Sequence, residues 1–242
     1  MSARLRKFIE VGSSSTSESS NTERAEISVT VYVGENGYVQ NAGFVHQPIT
    51  ALEKRDMTGP VAIVLHRTVS STASSALNAF ASGIGTHFLI DKDGTIYQTA
   101  SLNKHTAHVG PIRSRCLVEG TCPPDEARRL ATLKPKQGHD HEKTKIYPDR
   151  YPMNEDSIGI EVVAMYHPTT KVWDTPTSEQ SSSIRNLIEI LKRSYALTDS
   201  DIYPHDTISR KTEGEGQGLY SGASDSSDIS NVRMPWQRNT HP

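Results

Sequence analysis

The chain has 242 residues, which is enough for one large domain or two small ones with a substantial buried core. Its formal net charge is −2, and charges of both signs are mixed along it, so nothing indicates a nucleic acid or an anionic membrane as a partner. No apolar run approaches transmembrane length, and residues 1–9 are basic but lack the apolar stretch and cleavage site of a secretory signal.

The N-terminal region predicts a flexible segment followed by a folded domain. Residues 12–24 are mostly Ser, Thr, Glu and Asn, and such a composition cannot bury enough apolar surface to offset its ordering entropy. We therefore expect residues 1–25 to be flexible and residues 26–240 to form the domain. At its start, the alternating stretch Ser28–Val33 and the Asn36-Gly37 turn predict a β-hairpin.

The most informative stretch is an unbroken apolar run that ends on a histidine. Val61–Leu65 follows a Gly-Pro breaker, is rich in β-branched residues and stops at His66, a pattern typical of a buried strand. Because side chains alternate along a strand, Ala62, Val64 and His66 share one face. We therefore expect His66 at the end of a central strand, where the backbone directs its imidazole into a cleft.

Two helices have clear start signals. Ser70–Thr72 can cap a helix over residues 73–81. Thr175 or Thr177 can cap the most strongly amphipathic helix of the chain, which is expected to run to about Ala196.

The remaining strands complete an alternation of strands and helices. Residues 86–98 predict a strand, an Asp-Gly turn and a second strand. Residues 157–163 predict another buried strand. Strands interleaved with helices indicate an α/β fold, a single domain with a central mixed β-sheet flanked by helices.

A long loop insertion is expected at about residues 111–154, which are rich in Pro, Lys, Arg and Asp. Within it, residues 125–133 are predicted to form a short helix. The insertion also contains the two cysteines, Cys116 and Cys122, whose spacing suits a small disulfide better than a zinc site. A bonded pair indicates an oxidising compartment and free thiols a cytosolic one, and the sequence leaves both open.

Histidines and carboxylates on separate elements provide the donors of a hydrolytic metal site. His66 and His205 supply two imidazoles, and Glu213 and Glu215 follow soon after His205. A catalytic zinc takes three protein ligands and keeps one position open for water, so two histidines and one carboxylate satisfy that count. In an extended segment Lys211 points the same way as Glu213, which suits an oxyanion-stabilising role.

Glu161 is a candidate general base, because it lies among apolar residues inside a predicted buried strand. A carboxylate that loses hydration there has a raised pKa, in the range useful for proton transfer at neutral pH. The alternative is a glutamate that pairs with a buried arginine or lysine, and spacing alone does not decide between the two.

Five motifs occur in the order of a known family and span about residues 60–216. The chain resembles the zinc-dependent N-acetylmuramoyl-L-alanine amidases, the superfamily that includes peptidoglycan recognition proteins and the phage-lysozyme-type amidase. The motifs that carry the resemblance are Ile63–Thr68, Gly85–Gln98, His105–Gly110, Asn154–Glu161 and His205–Glu213.

The resemblance implies a Zn²⁺ ion held by three side chains. His66 and His205 match the two histidine ligands, and Glu213 falls where the third ligand is expected. The family usually has Asp or Cys there, so the longer Glu213 is a departure, and Glu215 remains a substitute.

The resemblance also implies roles around the metal. Glu161 matches the general base of the muropeptide-recycling branch, and Lys211 matches a lysine near the scissile carbonyl. Thr86, His87 and His108 are assigned to substrate binding. Thr86 falls where other branches carry a catalytic tyrosine, and His108 matches a residue of the substrate groove.

The implied reaction is hydrolysis of the amide between the lactyl group of N-acetylmuramic acid and L-alanine of the peptidoglycan stem. A non-catalytic peptidoglycan-binding module is the alternative from another class. The lack of a recognisable signal fits a cytosolic recycling amidase, a phage lysin or an antibacterial effector delivered by a contact-dependent route such as type VI secretion. The insertion and the paired cysteines favour a wall-attacking enzyme that works in the periplasm, and an effector would have a cognate immunity protein.

Overall fold

The computed structural model describes residues 30–57 and 59–222. The predicted flexible segment 1–25, the domain limits at residues 26 and 240 and the first residues of the predicted hairpin lie outside these ranges. Within the described ranges no helix combines the length and the apolar character needed to cross a bilayer.

The elements alternate as expected for an α/β domain. The strands of the described ranges are β1 (Tyr32–Val33), β2 (Val39–Gln40), β3 (Val45–His46), β4 (Ala62–Arg67), β5 (Phe88–Ile90), β6 (Ile96–Gln98), β7 (Ser157–Val162), β8 (Tyr166–His167), β9 (Val172–Trp173) and β10 (Ile202–Pro204). The α-helices are α1 (Ala73–Phe80), α2 (Arg115–Glu119), α3 (Pro124–Ala131), α4 (Pro135–Glu142), α5 (Ser178–Tyr195) and α6 (His205–Ile208).

A six-stranded mixed sheet forms the centre of the domain, with the strand order β10-β4-β7-β5-β6-β3. The neighbours β10, β4, β7 and β5 run parallel, whereas β6 is antiparallel to β5. Every residue of β4 is buried, as the apolar run predicts for a strand covered on both faces. The register pairs His66 with Glu161 across β4 and β7, so both residues stand on the same side of the sheet.

The two faces of the sheet carry separate parts of the core. On one face, Ile63 and Leu65 of β4 join the apolar side of α5. On the other face, Ala62 and Val64 pack with residues of the segment that leads into the insertion and with Ile208 of α6. This division is the one that alternation along β4 predicts.

Local capping explains where the main helices begin. The Thr72 hydroxyl accepts a hydrogen bond from the Ser75 amide at the start of α1. The Thr177 hydroxyl accepts one from the Gln180 amide, and the Gln180 side chain accepts one from the Thr177 amide, which is a capping box for α5. Both predicted helices and the β1–β2 hairpin are therefore confirmed within the described residues.

The insertion differs from the expected loop because it folds into three short helices, of which only α3 is predicted from the sequence. Pro124 and Pro135 each occupy a first helical position, where the missing N–H costs nothing. Cys116 and Cys122 form a disulfide that ties α2 to the start of α3. Helices this short, with few apolar residues, leave no periodic signal for sequence analysis to detect.

Core packing at β7 gives a direct test of the fold. Ile160 is fully buried at the centre of the sheet, so Ile160→Ala is expected to lower the free energy of unfolding by about 2–5 kcal/mol through lost transfer energy and a residual cavity. Ile146 is 76% exposed in the insertion, and Ile146→Ala should change stability by less than about 0.5 kcal/mol. Urea unfolding of both variants measures the difference, and equal effects would contradict the packing described here.

Candidate active site with a metal centre

Two histidines meet at the carboxyl edge of the sheet. His66 lies near the end of β4, and His205 directly follows β10, which pairs in parallel with β4. Because parallel neighbours end at the same edge, the two imidazoles lie side by side with ring centroids 4.1 Å apart. Both side chains are buried.

Glu215 completes the cluster. Its Oε1 atom lies 2.7 Å from His205 Nδ1 and 3.7 Å from His66 Nδ1. Among the described residues, this is the one group of histidine, cysteine and carboxylate side chains whose donor atoms all lie within 4.8 Å of one another. Two imidazole nitrogens and one carboxylate oxygen are a donor set suited to a divalent cation such as zinc.

The sequence favours Glu213 as the third donor and leaves Glu215 as a substitute; the structure places the Glu215 carboxylate beside the two histidines and leaves the Glu213 side chain exposed. The main chain of Glu213 is turned toward the β8–β9 hairpin, where its carbonyl oxygen accepts a 3.0 Å hydrogen bond from Trp173 Nε1. The two acids are two residues apart, and the fold of the segment decides which of them faces the histidines.

Two charged residues that sequence reasoning missed hold this segment in place. Arg67 Nη1 donates to the carbonyl oxygens of Gly214 and Gln217, at 2.5 and 2.8 Å. The Asp206 carboxylate accepts from the amides of Gly214 and Gly216, both at 2.9 Å. Arg67 directly follows His66, and Asp206 directly follows His205. A charged residue next to a candidate ligand was therefore the sequence feature that could have pointed to them.

The charge state of the cluster suits cation binding. Burial acts to raise the pKa of Glu215, but its hydrogen bond with His205 and its proximity to His66 outweigh burial and lower the pKa to about 2. Burial, assisted by the charge of His205, lowers the pKa of His66 to about 3. At neutral pH Glu215 is therefore an anion and His66 is an uncharged imidazole, which are the forms that coordinate metals.

The ring nitrogens that face away from Glu215 are already occupied. His205 Nε2 lies 2.8 Å from the carbonyl oxygen of Val109, and His66 Nε2 lies 3.1 Å from His108 Nδ1. The Nδ1 atoms of both ligand histidines thus face the carboxylate. The donor set and its orientation fit a metal ion held by His66, His205 and Glu215.

Glu161 stands beside His66 in the strand register and is partly buried. Burial raises the pKa of Glu161 to about 7, the negative charge of Glu215 adds to this rise, and the charge of Lys211 and a hydrogen bond with Thr86 oppose it. The alternative reading, a glutamate paired with a buried cation, is not favoured, because the buried Arg67 is bonded to the Glu215 segment. Glu161 is thus poised to exchange a proton near neutral pH.

Lys211 is exposed and close enough to the cluster for its charge to lower the pKa of His66 as well as that of Glu161. The arrangement brings together a candidate cation site, a carboxyl group with a pKa near neutrality and an exposed positive charge. Such a set of groups can polarise a carbonyl, accept a proton and stabilise an oxyanion.

Thr86, His87 and His108, which the sequence assigns to substrate binding, all have buried side chains. The Thr86 hydroxyl donates to the Phe88 carbonyl oxygen at 2.8 Å. His87 donates from Nε2 to the Lys104 carbonyl oxygen and accepts at Nδ1 from the Gly159 amide. These side chains bond to the surrounding protein, and their role in substrate binding stays a prediction.

Comparison with known proteins places the chain. Residues 56–216 match the family model described as N-acetylmuramoyl-L-alanine amidase. Among solved structures, the chain is similar to a selenomethionine derivative of AmpD, with a TM-score of 0.51 and 18% identity over 77% of this chain and 93% of that one. A search of curated proteins finds no significant match.

Two further solved structures are similar at lower scores. The catalytic domain of XlyA matches with a TM-score of 0.44 and 18% identity over 69% of this chain and 87% of that one. The N-acetylmuramoyl-L-alanine amidase LysC from Clostridium intestinale URNW matches with a TM-score of 0.39 and 19% identity over 69% of this chain and 85% of that one. At these identities the likeness concerns the fold alone.

Fold and site together define an α/β enzyme with a candidate metal centre at the carboxyl edge of its sheet. Since the family model covers well over half of its length, the chain belongs to the N-acetylmuramoyl-L-alanine amidase family.

The raised pKa of Glu161 has a measurable effect on stability. A carboxyl group whose pKa rises from 4.5 to about 7 on folding favours the folded state fully below pH 4.5, and this contribution is lost as the pH rises through about 7. In metal-free protein, Glu161→Gln should therefore gain stability relative to wild type between these pH values, by at most about 3 kcal/mol. Urea unfolding across this pH range measures the gain.

The exposed Glu213 provides the control for this measurement. Glu213→Gln should follow the wild-type dependence of unfolding free energy on pH. A Glu161→Gln profile parallel to that of wild type would show that Glu161 does not titrate abnormally in the folded protein.

Proposed function

We propose that this protein is a zinc-dependent N-acetylmuramoyl-L-alanine amidase that hydrolyses the amide between the lactyl group of N-acetylmuramic acid and L-alanine of the peptidoglycan stem. The observation that carries the proposal is the convergence of His66, His205 and Glu215 next to Glu161, in a chain that belongs to this family. Peptidoglycan or a soluble muropeptide is the substrate.

The metal role falls to the Nδ1 atoms of both histidines and to Glu215 Oε1. When bound, zinc supplies a Lewis acid that polarises the scissile carbonyl and acidifies water. Three protein donors leave a position for that chemistry, as in other catalytic zinc sites.

Glu161 is the proposed general base. Its carboxylate accepts the proton of the attacking water and returns it to the amine of the departing L-alanine, a double role that suits a group with a pKa near 7. A bound cation would lower the pKa of Glu161 from this raised value, which keeps the carboxylate ionised under working conditions. Lys211 would donate to the oxyanion, and the loss of one such donor typically costs ~10²–10³ in rate.

For the biological setting, we propose a wall-attacking role, as an antibacterial effector or lysin that acts in an oxidising compartment such as the periplasm. The Cys116–Cys122 disulfide supports this setting, since disulfides persist in oxidising compartments and are rare in the cytosol. Type VI delivery and a cognate immunity protein belong to the same proposal. The alternative is a cytosolic enzyme that recycles anhydro-muropeptides.

The choice of third ligand is testable by metal analysis. Glu215→Ala removes an anionic donor that lies 2.7 Å from His205, so the purified variant should lose stoichiometric zinc and activity. Glu213→Ala is the matched control and should keep both, because the Glu213 side chain is exposed and only its main chain is bonded. Loss of zinc from Glu213→Ala with retention in Glu215→Ala would reverse the assignment.

The catalytic role of Glu161 can be tested by measuring zinc binding and amidase activity separately in one variant. Glu161→Gln should retain zinc and lose amidase activity, because the amide cannot accept the proton from water. The measurement is mass spectrometry of products from intact sacculi and from soluble anhydro-muropeptides, in which cleavage releases stem peptides with a free L-alanine amine.

The same assay distinguishes the wall-attacking role from the recycling role. Cleavage of sacculi by the wild type supports the wall-attacking role, whereas cleavage confined to soluble muropeptides supports recycling. A fully active Glu161→Gln protein would remove Glu161 from the mechanism, and intact substrates with zinc-loaded wild type would reject the amidase proposal itself.

A further inference from the structure

The loop dipeptide His108-Val109 contacts both ligand histidines from behind. His108 Nδ1 lies 3.1 Å from His66 Nε2, and the Val109 carbonyl oxygen lies 2.8 Å from His205 Nε2. One short piece of chain therefore touches the outer nitrogen of each ring. Neighbours of this kind are the groups that set which ring nitrogen of a metal-binding histidine carries the proton.

The direction of the hydrogen bond at His205 is fixed by chemistry. A carbonyl oxygen only accepts, so His205 Nε2 carries the hydrogen that points at Val109. Nδ1 lies 2.7 Å from Glu215 Oε1, a hydrogen bond in the metal-free protein, and a bound metal would take the place of its hydrogen. His205 is thus held in the tautomer that can bind a metal through Nδ1.

A longer relay fixes His66. The Ser157 hydroxyl donates to the Met153 carbonyl oxygen at 2.6 Å, so the oxygens of Ser157 can only accept from His108 Nε2, which lies 3.3 Å from the hydroxyl and 3.4 Å from the carbonyl. With its hydrogen on Nε2, His108 accepts at Nδ1, and His66 must donate from Nε2. The lone pair of His66 is then on Nδ1.

A single side-chain oxygen holds the dipeptide in place. Asn154 Oδ1 accepts hydrogen bonds from the amides of both His108 and Val109, at 2.9 and 2.8 Å. Gly159 on β7 leaves room for the His108 ring, because a Cβ atom at this position would lie 2.7 Å from His108 Nδ1. His108 is therefore held by Ser157 at its ring, by Asn154 at its main chain and by the space that Gly159 leaves.

We propose that His108 and Asn154 are positioning residues, which hold both ligand histidines in the tautomer with a free Nδ1 and thereby raise the affinity of the site for its metal. His108 acts on His66 through its ring, and Asn154 acts on both histidines through the main chain of the dipeptide. The inference rests on the zinc site of the proposed function, and it assigns no contact with substrate to either residue.

The first test is the zinc affinity of the metal-free protein, measured by competition with a chromophoric chelator at neutral pH. His108→Leu and Asn154→Ala should each weaken zinc binding by about 10- to 100-fold, as is typical when such a supporting group is lost. His108→Asn and Asn154→Asp keep an acceptor close to the original one and should recover most of the affinity.

The control is a variant that is destabilised elsewhere. Ile160→Ala loses packing on the opposite side of β7 and should bind zinc like wild type, so a loss confined to the positioning variants reports on the relay and not on general stability. Zinc binding by His108→Leu and Asn154→Ala as tight as that of wild type would overturn the inference.

The second test needs no metal. Histidine ¹⁵N–¹H correlation spectra of the metal-free wild type should show a hydrogen on Nε2 of both His66 and His205. In His108→Leu, the His66 signal should move toward a mixture of tautomers while that of His205 stays unchanged. A wild-type His66 with its hydrogen on Nδ1 would overturn the relay, whereas the expected tautomers in a protein that binds no zinc would overturn the proposed function instead.

Discussion

The parallel pairing of β4 with its two neighbours is the constraint on which the rest of this site depends. It places His66 level with Glu161 of β7 on one side and brings His205, at the end of β10, against it on the other. A slip of one residue in either register would turn the side chains of a strand to the opposite face. The buried apolar residues of β4 oppose such a slip, because it would exchange the larger Ile63 and Leu65 with the smaller Ala62 and Val64 between the two differently packed faces. Core packing is therefore what aligns the polar groups.

The two carboxyl groups of this site, Glu215 and Glu161, have pKa values shifted in opposite directions, and their surroundings explain the difference. Glu215 is hydrogen-bonded to His205 and lies 3.7 Å from His66 Nδ1, and these contacts hold its pKa at about 2 despite burial. Glu161 has no comparable partner, and burial together with the charge of Glu215 raises its pKa to about 7. One group is thus a permanent anion suited to a cation, and the other exchanges protons near neutrality. Pairs of acids whose environments separate their pKa values are a recurring way to divide roles in an active site.

The helical insertion is joined to the site at its base. It begins just after the dipeptide His108-Val109 and ends at Asn154, whose side chain binds back to the amides of that dipeptide. A hydrogen bond from the Ile112 amide to His139 holds the start of the insertion against α4. These bonds hold the two ends of the insertion together. Its three helices and the disulfide can therefore lie outside the site without changing the positions of His66, His205 and Glu215.

The sequence by itself determined the α/β class, the buried strands, the capped helices and the candidates His66, His205 and Glu161. These features follow from alternation, caps and breakers, which depend on residues close together in the chain. Only the tertiary structure showed that Glu215 and not Glu213 lies beside the two histidines, because Arg67 holds that segment from a position about 150 residues earlier in the chain. It also decided the burial of the residues expected in the substrate groove, and the helices of the insertion. Contacts between distant parts of the chain leave no local pattern, so the fold had to bring them together before they could be recognised.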